Sequence, residues 1–374
     1  MNIPFFSHDL GSSELHAVAE VLNGPILTTG ETVSRFERRF ADYLGRRHAL
    51  GVNSCTGAIH LSLLAMGVGQ GDEVITTPMT FVATATAILE AGAKPVFVDV
   101  EPDTGNLDAS RIKDAITDKT KAIVPVHLYG QMCDMKAIRE IAEDNGLYII
   151  EDSAHCIEGS REGIRPGELG DVACFSFYAT KNITCGEGGA LVTDNDKLAQ
   201  TIRLLTQHGM TKTAADRHRE GYQHWDMIEL GWKYNLSNIQ AGLLLPQLER
   251  IESNLRKRDA LAERYQSLLE EVPHFTFPQT VRSVRHARHL FPIWVKEKHR
   301  DDVIKSLQAK GIGVVVNYRS LNTLTYFQKE LGFQLGEFPI AEHIGNSTIS
   351  LPFYPTMPEE HVTVVVDTLK GLLK

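Results

Sequence analysis

Three short stretches hold residue types and spacings able to do chemistry. Lys181 lies four residues beyond the apolar run 172–177, and Gly186, Gly188 and Gly189 follow it. The glycines let the chain turn back tightly, so the lysine sits in a strand-to-strand loop. A lysine held there can point into a cleft, lose part of its hydration and attack an aldehyde carbon. The ordinary alternative is a solvated surface lysine. Asp152 ends a second apolar run, 147–152, and His155 follows three residues later. The carboxyl ends of strands are where open α/β sheets bind ligands. The third stretch, Asn53-Ser54-Cys55-Thr56-Gly57-Ala58, is a strand-to-helix turn of small residues.

An anion at position 152 can keep a pyridine nitrogen protonated, which makes pyridoxal phosphate (PLP) an electron sink. A carboxylate that only caps the next segment is the simpler reading. His155 can stack on such a ring or hydrogen-bond beside it, or serve structure alone. The backbone N–H groups of a helix start, with the Ser54 and Thr56 hydroxyls, suit a phosphate. A plain N-cap accounts for the same residues without a ligand. Gly67, Gly69 and Gly71 precede a strand-like run instead of following one, so they are not a dinucleotide fingerprint.

These stretches need a scaffold, and the pattern supplies one. Helical periodicity at 12–22 and 32–44 precedes a strand-like run at 48–53 and a helix at 58–66. Strand-like runs at 73–77 and 94–100 flank a helix at 81–90. Runs at 121–127 and 147–152 flank a helix at 134–145, and further runs lie at 172–177 and 190–193. Strands alternating with helices of about ten residues predict βαβ units and a mostly parallel sheet covered on both faces. After Ser237 the pattern becomes a long helical stretch to about 270. Then come runs at 290–295 and 314–317, a helix at 301–310 and a last helix from about 358. The expectation is a large domain over 1–248 and a smaller α+β domain over 249–374, for a chain of 374 residues.

Composition narrows the function. The net charge is −9 and there is no long basic stripe, which argues against nucleic-acid binding. No apolar run approaches the ~20 residues of a membrane span, and the N-terminus has no signal-peptide pattern. Five scattered cysteines without a C-x-x-C pair predict reduced thiols in a cytoplasmic protein and no zinc site.

The ordered set of motifs resembles the DegT/DnrJ/StrS sugar aminotransferases, which are fold-type I PLP enzymes. The resemblance rests on Leu27-Thr28-Thr29-Gly30, Gly71-Asp72-Glu73-Val74-Ile75, Pro125-Val126-His127 with Gly130, and Glu151-Asp152-Ser153-Ala154-His155. It continues through Phe175-Ser176-Phe177 with Lys181-Asn182, Glu187-Gly188-Gly189, Tyr234-Asn235-Leu236, and Leu351-Pro352 with Pro355. It implies that Lys181 holds PLP as a Schiff base and moves the proton, and that Asp152 pairs with the pyridine nitrogen. Thr56, Gly57 and Ser176 would hold the phosphate, and Phe81 would stack on the ring. Asn235 would reach the phosphate of a neighbouring subunit's cofactor, so a homodimer with shared active sites is implied. Thr29, Tyr318 and Arg319 are candidate substrate contacts. Related sugar dehydratases carry histidine in place of the lysine, so Lys181 favours transamination. The loop Asn317-Tyr318-Arg319-Ser320-Leu321-Asn322 departs from the family's Tyr-x-Pro-Leu-His pattern, with Asn322 at the usual histidine. The leading reading is amino transfer from glutamate to the C4 ketone of a nucleotide-linked, UDP-type keto-deoxy sugar. Its rivals are amination at C3 or of a cyclitol ketone, and a regulatory protein that holds PLP without turnover.

Overall fold

The computed structural model describes residues 2–212, 224–270, 272, 275–296 and 299–372. Its strands are β1 (His48–Val52), β2 (Glu73–Thr76), β3 (Lys94–Phe97), β4 (Thr120–Ile123), β5 (Tyr148–Asp152), β6 (Ser160–Arg161), β7 (Val172–Ser176), β8 (Gly189–Thr193), β9 (Phe275–Thr276), β10 (Val284–Arg285), β11 (Phe291–Val295) and β12 (Thr348–Leu351). Its α-helices are α1 (Ser12–Leu22), α2 (Glu31–Leu44), α3 (Cys55–Ala65), α4 (Val82–Glu90), α5 (Met135–Asn145), α6 (Asp196–Leu205), α7 (Asn238–Glu249), α8 (Ile251–Leu269), α9 (Arg300–Ala309), α10 (Thr325–Leu331), α11 (Pro339–Ser347) and α12 (Glu359–Leu372).

Among the described residues, seven strands form one sheet in the order β1-β8-β7-β5-β4-β2-β3. β3, β2, β4, β5 and β7 run parallel, while β8 is antiparallel to both β7 and β1. Two antiparallel steps restore direction, so β1 points the same way as β7. The carboxyl ends of β1, β2, β3, β4, β5 and β7 therefore share one edge with the start of β8. β7 and β8 are buried along their whole length, as strands covered on both faces are. α3 packs on one face, with Ile59, Leu61 and Leu63 in a core with Val74, Ile150 and Leu191. α2 and α7 cover the other face, where Phe36 and Phe40 meet Phe175, Phe177 and Leu244. In α2 the buried residues Val33, Phe36, Phe40, Ala41 and Leu44 recur at helical spacing, and Gly45 stops the helix at φ 70°.

The helical stretch after Ser237 is two helices. Ser237 caps α7, and the chain breaks at Arg250 (φ −106°, ψ 8°) before α8. Pro246 lies inside α7 and removes one backbone donor from its last turns. The run at 314–317 makes only an isolated bridge, Val315 to Ser350. α10 and α11 had no counterpart in the sequence reading. A second sheet, β12-β11-β9, carries its own core with α8, α9 and α12. Ile3 joins this core from the N-terminus and bridges to Ile312. All five cysteines are free and buried. No helix among the described residues is long and apolar enough to cross a membrane.

Candidate active site

A cavity of about 570 Å³ opens at the shared strand edge. Asp152 ends β5, Ser176 ends β7, and Thr56 lies in the first turn of α3; all three line it together with Lys181, His155, Phe81, Tyr318 and Ser54. The opposite wall comes from the second sheet's side of the chain, through His289, Leu290, Val315, Asn317 and Tyr318.

Asp152 is 6% exposed and fixed by three donors. Thr84 Oγ1 donates to Oδ2 at 2.7 Å, the Ala154 N–H to Oδ1 at 3.1 Å, and the Cys55 thiol to Oδ1 at 3.8 Å. Thr84 in turn pairs with Thr80 at 2.8 Å. The carboxylate is thus aimed before any ligand arrives. Burial pushes the Cys55 thiol up, and the neighbouring Asp152 charge adds to that, so Cys55 stays a protonated donor.

Lys181 sits in the loop between β7 and β8. Its backbone N–H bonds the Tyr178 carbonyl at 2.9 Å. Further along, Thr184 is held on both sides by Gln247 of α7, at 2.9 and 2.7 Å. Enclosure by the cavity walls lowers the Lys181 ammonium to about 8, although the charge of Asp152 pulls it back up. At pH 7 about a tenth is then free amine, the form that attacks a carbonyl.

His155 accepts the Tyr129 N–H at Nδ1 (3.2 Å) and pairs through Nε2 with the Tyr318 hydroxyl (3.0 Å). With Nδ1 accepting, Nε2 carries the hydrogen and donates to Tyr318. Burial and the Lys181 charge keep this ring neutral, well below the usual histidine range.

The α3 turn is built for close approach. Ser54 caps the helix by accepting the Gly57 N–H at 3.0 Å, so its hydroxyl is engaged within the chain. The Cys55 and Thr56 N–H groups belong to a first turn that has no intrahelical acceptor. A Cβ at Gly189 would lie 2.4 Å from the Ser54 carbonyl carbon and 2.6 Å from the Cys55 nitrogen. Only glycine lets β8 start against this turn. Gly57 does not line the cavity; its N–H is spent on Ser54 and its α-carbon faces Asn53 and Tyr234.

Asn235, Thr29 and Arg319 also lie outside the cavity lining. Asn235 Nδ2 donates to Thr29 Oγ1 at 2.6 Å, and Thr29 Oγ1 donates to the Leu236 carbonyl at 2.6 Å. The two expected contacts are therefore one hydrogen-bonded unit. Arg319 is exposed. Asn322 is fully buried and bonds Ser320, the Gln334 carbonyl and Glu342, so it shapes its loop and not the cavity. The sequence reading missed Thr84, Cys55 and His289. Thr84 had a usable signal, since it lies three residues beyond Phe81 on the same helix start. His289 had none, because 108 positions separate it from Lys181.

The DegT/DnrJ/EryC1/StrS aminotransferase family matches residues 8–370. The chain is 39% identical over 378 aligned positions to the spore coat polysaccharide biosynthesis protein SpsC of Bacillus subtilis, covering 100% of this chain and 97% of SpsC. It resembles DesV of S. venezuelae, solved with a ketimine intermediate, at 33% identity and a TM-score of 0.92, covering 99% of this chain and 98% of DesV. A Streptococcus pneumoniae protein described as a sugar aminotransferase, in its pyridoxamine phosphate (PMP) form, aligns at 32% identity and a TM-score of 0.94, covering 99% of each chain. The fold, the full-length match and these relatives agree: the chain belongs to the DegT/DnrJ/EryC1/StrS aminotransferase family and is a PLP-dependent enzyme.

Proposed function

We propose that this protein transfers the amino group of glutamate to the C4 ketone of a nucleotide-linked, UDP-type keto-deoxy sugar. The observation that carries the reading is the convergence of Lys181, Asp152, Ser176 and the α3 first turn on one cavity. The polysaccharide role in the name of SpsC and the sugar aminotransferase from S. pneumoniae support a sugar substrate.

The residues present fit PLP. The cavity pairs a buried, pre-aimed carboxylate with an uncharged-capable lysine and with helix-start N–H groups left without acceptors. When bound, PLP supplies a ring that holds the electron pair released at a substrate carbon. Lys181 would supply the amine that holds its aldehyde, and once released that amine would be placed to carry a proton. Asp152 holds positive charge at the ring nitrogen through its own negative charge, and Thr84, Cys55 and Ala154 keep its two oxygens oriented. The Cys55 and Thr56 N–H groups and the Ser176 hydroxyl take the phosphate. Phe81 is 56% exposed at the cavity mouth, where a ring can lie against it. Asn235 and Thr29 act together on a second subunit's site, so the working unit is a homodimer.

The experiment is a half-reaction. Purified protein loaded with PLP absorbs in the visible, and glutamate alone shifts the band to the near-ultraviolet with release of 2-oxoglutarate. A panel of 4-keto and 3-keto nucleotide sugars then restores the visible band only for the true acceptor. No shift with glutamate rules out the proposed donor, and recovery only with 3-keto sugars rules out C4.

A further inference from the structure

Tyr129 is buried and does not line the cavity, yet it bonds three residues that do. Its N–H donates to His155 Nδ1 at 3.2 Å, and its carbonyl accepts the His289 N–H at 3.2 Å. Its hydroxyl donates to the Asn317 carbonyl at 2.8 Å. His155 follows β5 at the sheet edge, whereas His289 and Asn317 belong to the opposite wall. One residue therefore joins the two walls from behind.

Its backbone is held in an uncommon state. With φ 59° and ψ −3°, Tyr129 lies in the left-handed region. Glycine takes that conformation freely, but a β-carbon there crowds the following carbonyl oxygen. A glycine would still supply the two backbone bonds. It would supply neither the ring, which packs in one cluster with Leu290 and Ile344, nor the hydroxyl.

The hydroxyl acts as a tether. Among the described residues it makes the one hydrogen bond to the main chain of 316–319, the stretch that carries Asn317 and Tyr318. That stretch hangs between the Val315–Ser350 bridge and the Leu321 N–H, which bonds the Pro78 carbonyl at 2.8 Å. A further hold is made by side chains, Tyr318 to His155 at 3.0 Å. Burial pushes the Tyr129 phenol up, so it stays a protonated donor.

We infer that Tyr129 is a positioning residue whose hydroxyl tethers the 316–319 stretch and so fixes the wall that the sugar substrate meets. The part concerning the sugar rests on the proposed function. Asp152, Ser176 and the α3 turn sit at strand ends and do not depend on the tether. Glutamate is small and needs little of the far wall. A nucleotide-linked sugar is much larger and reaches more of it. Loosening the tether should therefore weaken sugar binding and spare the step with glutamate.

The test is Tyr129→Phe, which keeps the ring and both backbone bonds and deletes the tether. Arg319 is exposed within the stretch, so trypsin reports its opening without any substrate. The PLP-loaded enzyme is digested briefly under native conditions, and the 1–319 fragment is followed by mass spectrometry. Losing one hydrogen bond is expected to speed this cut by roughly three- to tenfold, with cuts elsewhere unchanged. The KM for the accepted keto sugar should rise by a similar factor, while the rate of the glutamate half-reaction holds. If Tyr129→Phe does not fold, Tyr129→Gly is read instead; it relieves the positive φ, keeps both backbone bonds and speeds the same cut. An unchanged cut at Arg319, or cuts that accelerate equally along the chain, overturns the inference. A glutamate half-reaction slowed as much as the sugar step overturns it too. If wild-type protein accepts no keto sugar, the substrate reading has failed, and the Arg319 cut still decides the tether.

Discussion

The two walls of the cavity are built in different ways. One wall is the carboxyl edge of the large sheet, where Asp152, Ser176 and Thr56 each sit within a few residues of a strand end. Strand direction alone brings them to one place, since six strands end on that edge. The other wall holds His289, Asn317 and Tyr318, which come from loops around the second sheet. These are aimed by long-range bonds: Tyr129 Oη to the Asn317 carbonyl at 2.8 Å, Tyr318 to His155, and His289 to Asn182. The sheet edge carries the groups suited to the cofactor, and the loop wall encloses them from the second sheet's side.

Changes at the sheet edge should therefore be severe, and changes at the loop wall graded. Lys181→Ala is expected to abolish turnover and the visible band while PLP still binds through the remaining contacts. Full turnover in this variant removes the lysine from the mechanism. In the wild-type apo chain, PLP capture at Lys181 should rise through about pH 8, because burial holds the ammonium below its ordinary range and the free amine is gained as pH increases. A stopped-flow profile still climbing steeply above pH 10 contradicts this.

Asp152→Asn keeps shape and loses charge. A loss of several kcal/mol of carbanion stabilisation means at least a hundredfold in kcat, at ~1.4 kcal/mol per tenfold. Less than about tenfold reassigns Asp152 to a structural cap.

The subunit-sharing proposal is broken or sharpened by mixing chains. Lys181→Ala and Asn235→Asp homodimers should each be poorly active. Co-expressed chains give about half mixed dimers, each with one intact site, so roughly a quarter of wild-type activity should return. Recovery of nothing beyond the two homodimers places the whole site in one chain.

The smallest catalytic effect is expected at the loop wall. Tyr318→Phe removes the partner of His155 Nε2 and should lower kcat/KM by about three- to tenfold, for one hydrogen bond of ~1 kcal/mol. Behind that wall, Arg258→Met leaves the Glu158 charge buried without its cation and should destabilise the fold by about 3–5 kcal/mol, read as a denaturation midpoint. Wild-type stability there would mean that Asn182 and water compensate fully.

The alternation of apolar runs with helical periodicity determined the large parallel sheet, because buried central strands must be apolar along their length. Asp152, Lys181 and the α3 turn were legible for the same reason: each is adjacent in sequence to the strand that places it. The helix break at Arg250, the isolated bridge in place of a strand at Val315, and α10 and α11 were not legible, since packing against other segments decides them. Tertiary structure alone also decided where polar side chains spend their hydrogen bonds. Ser54 is consumed as a helix cap and Asn322 by its own loop, whereas Thr84 is turned onto Asp152. A side chain's partner is set by what folds against it, and sequence records only the types available to be chosen.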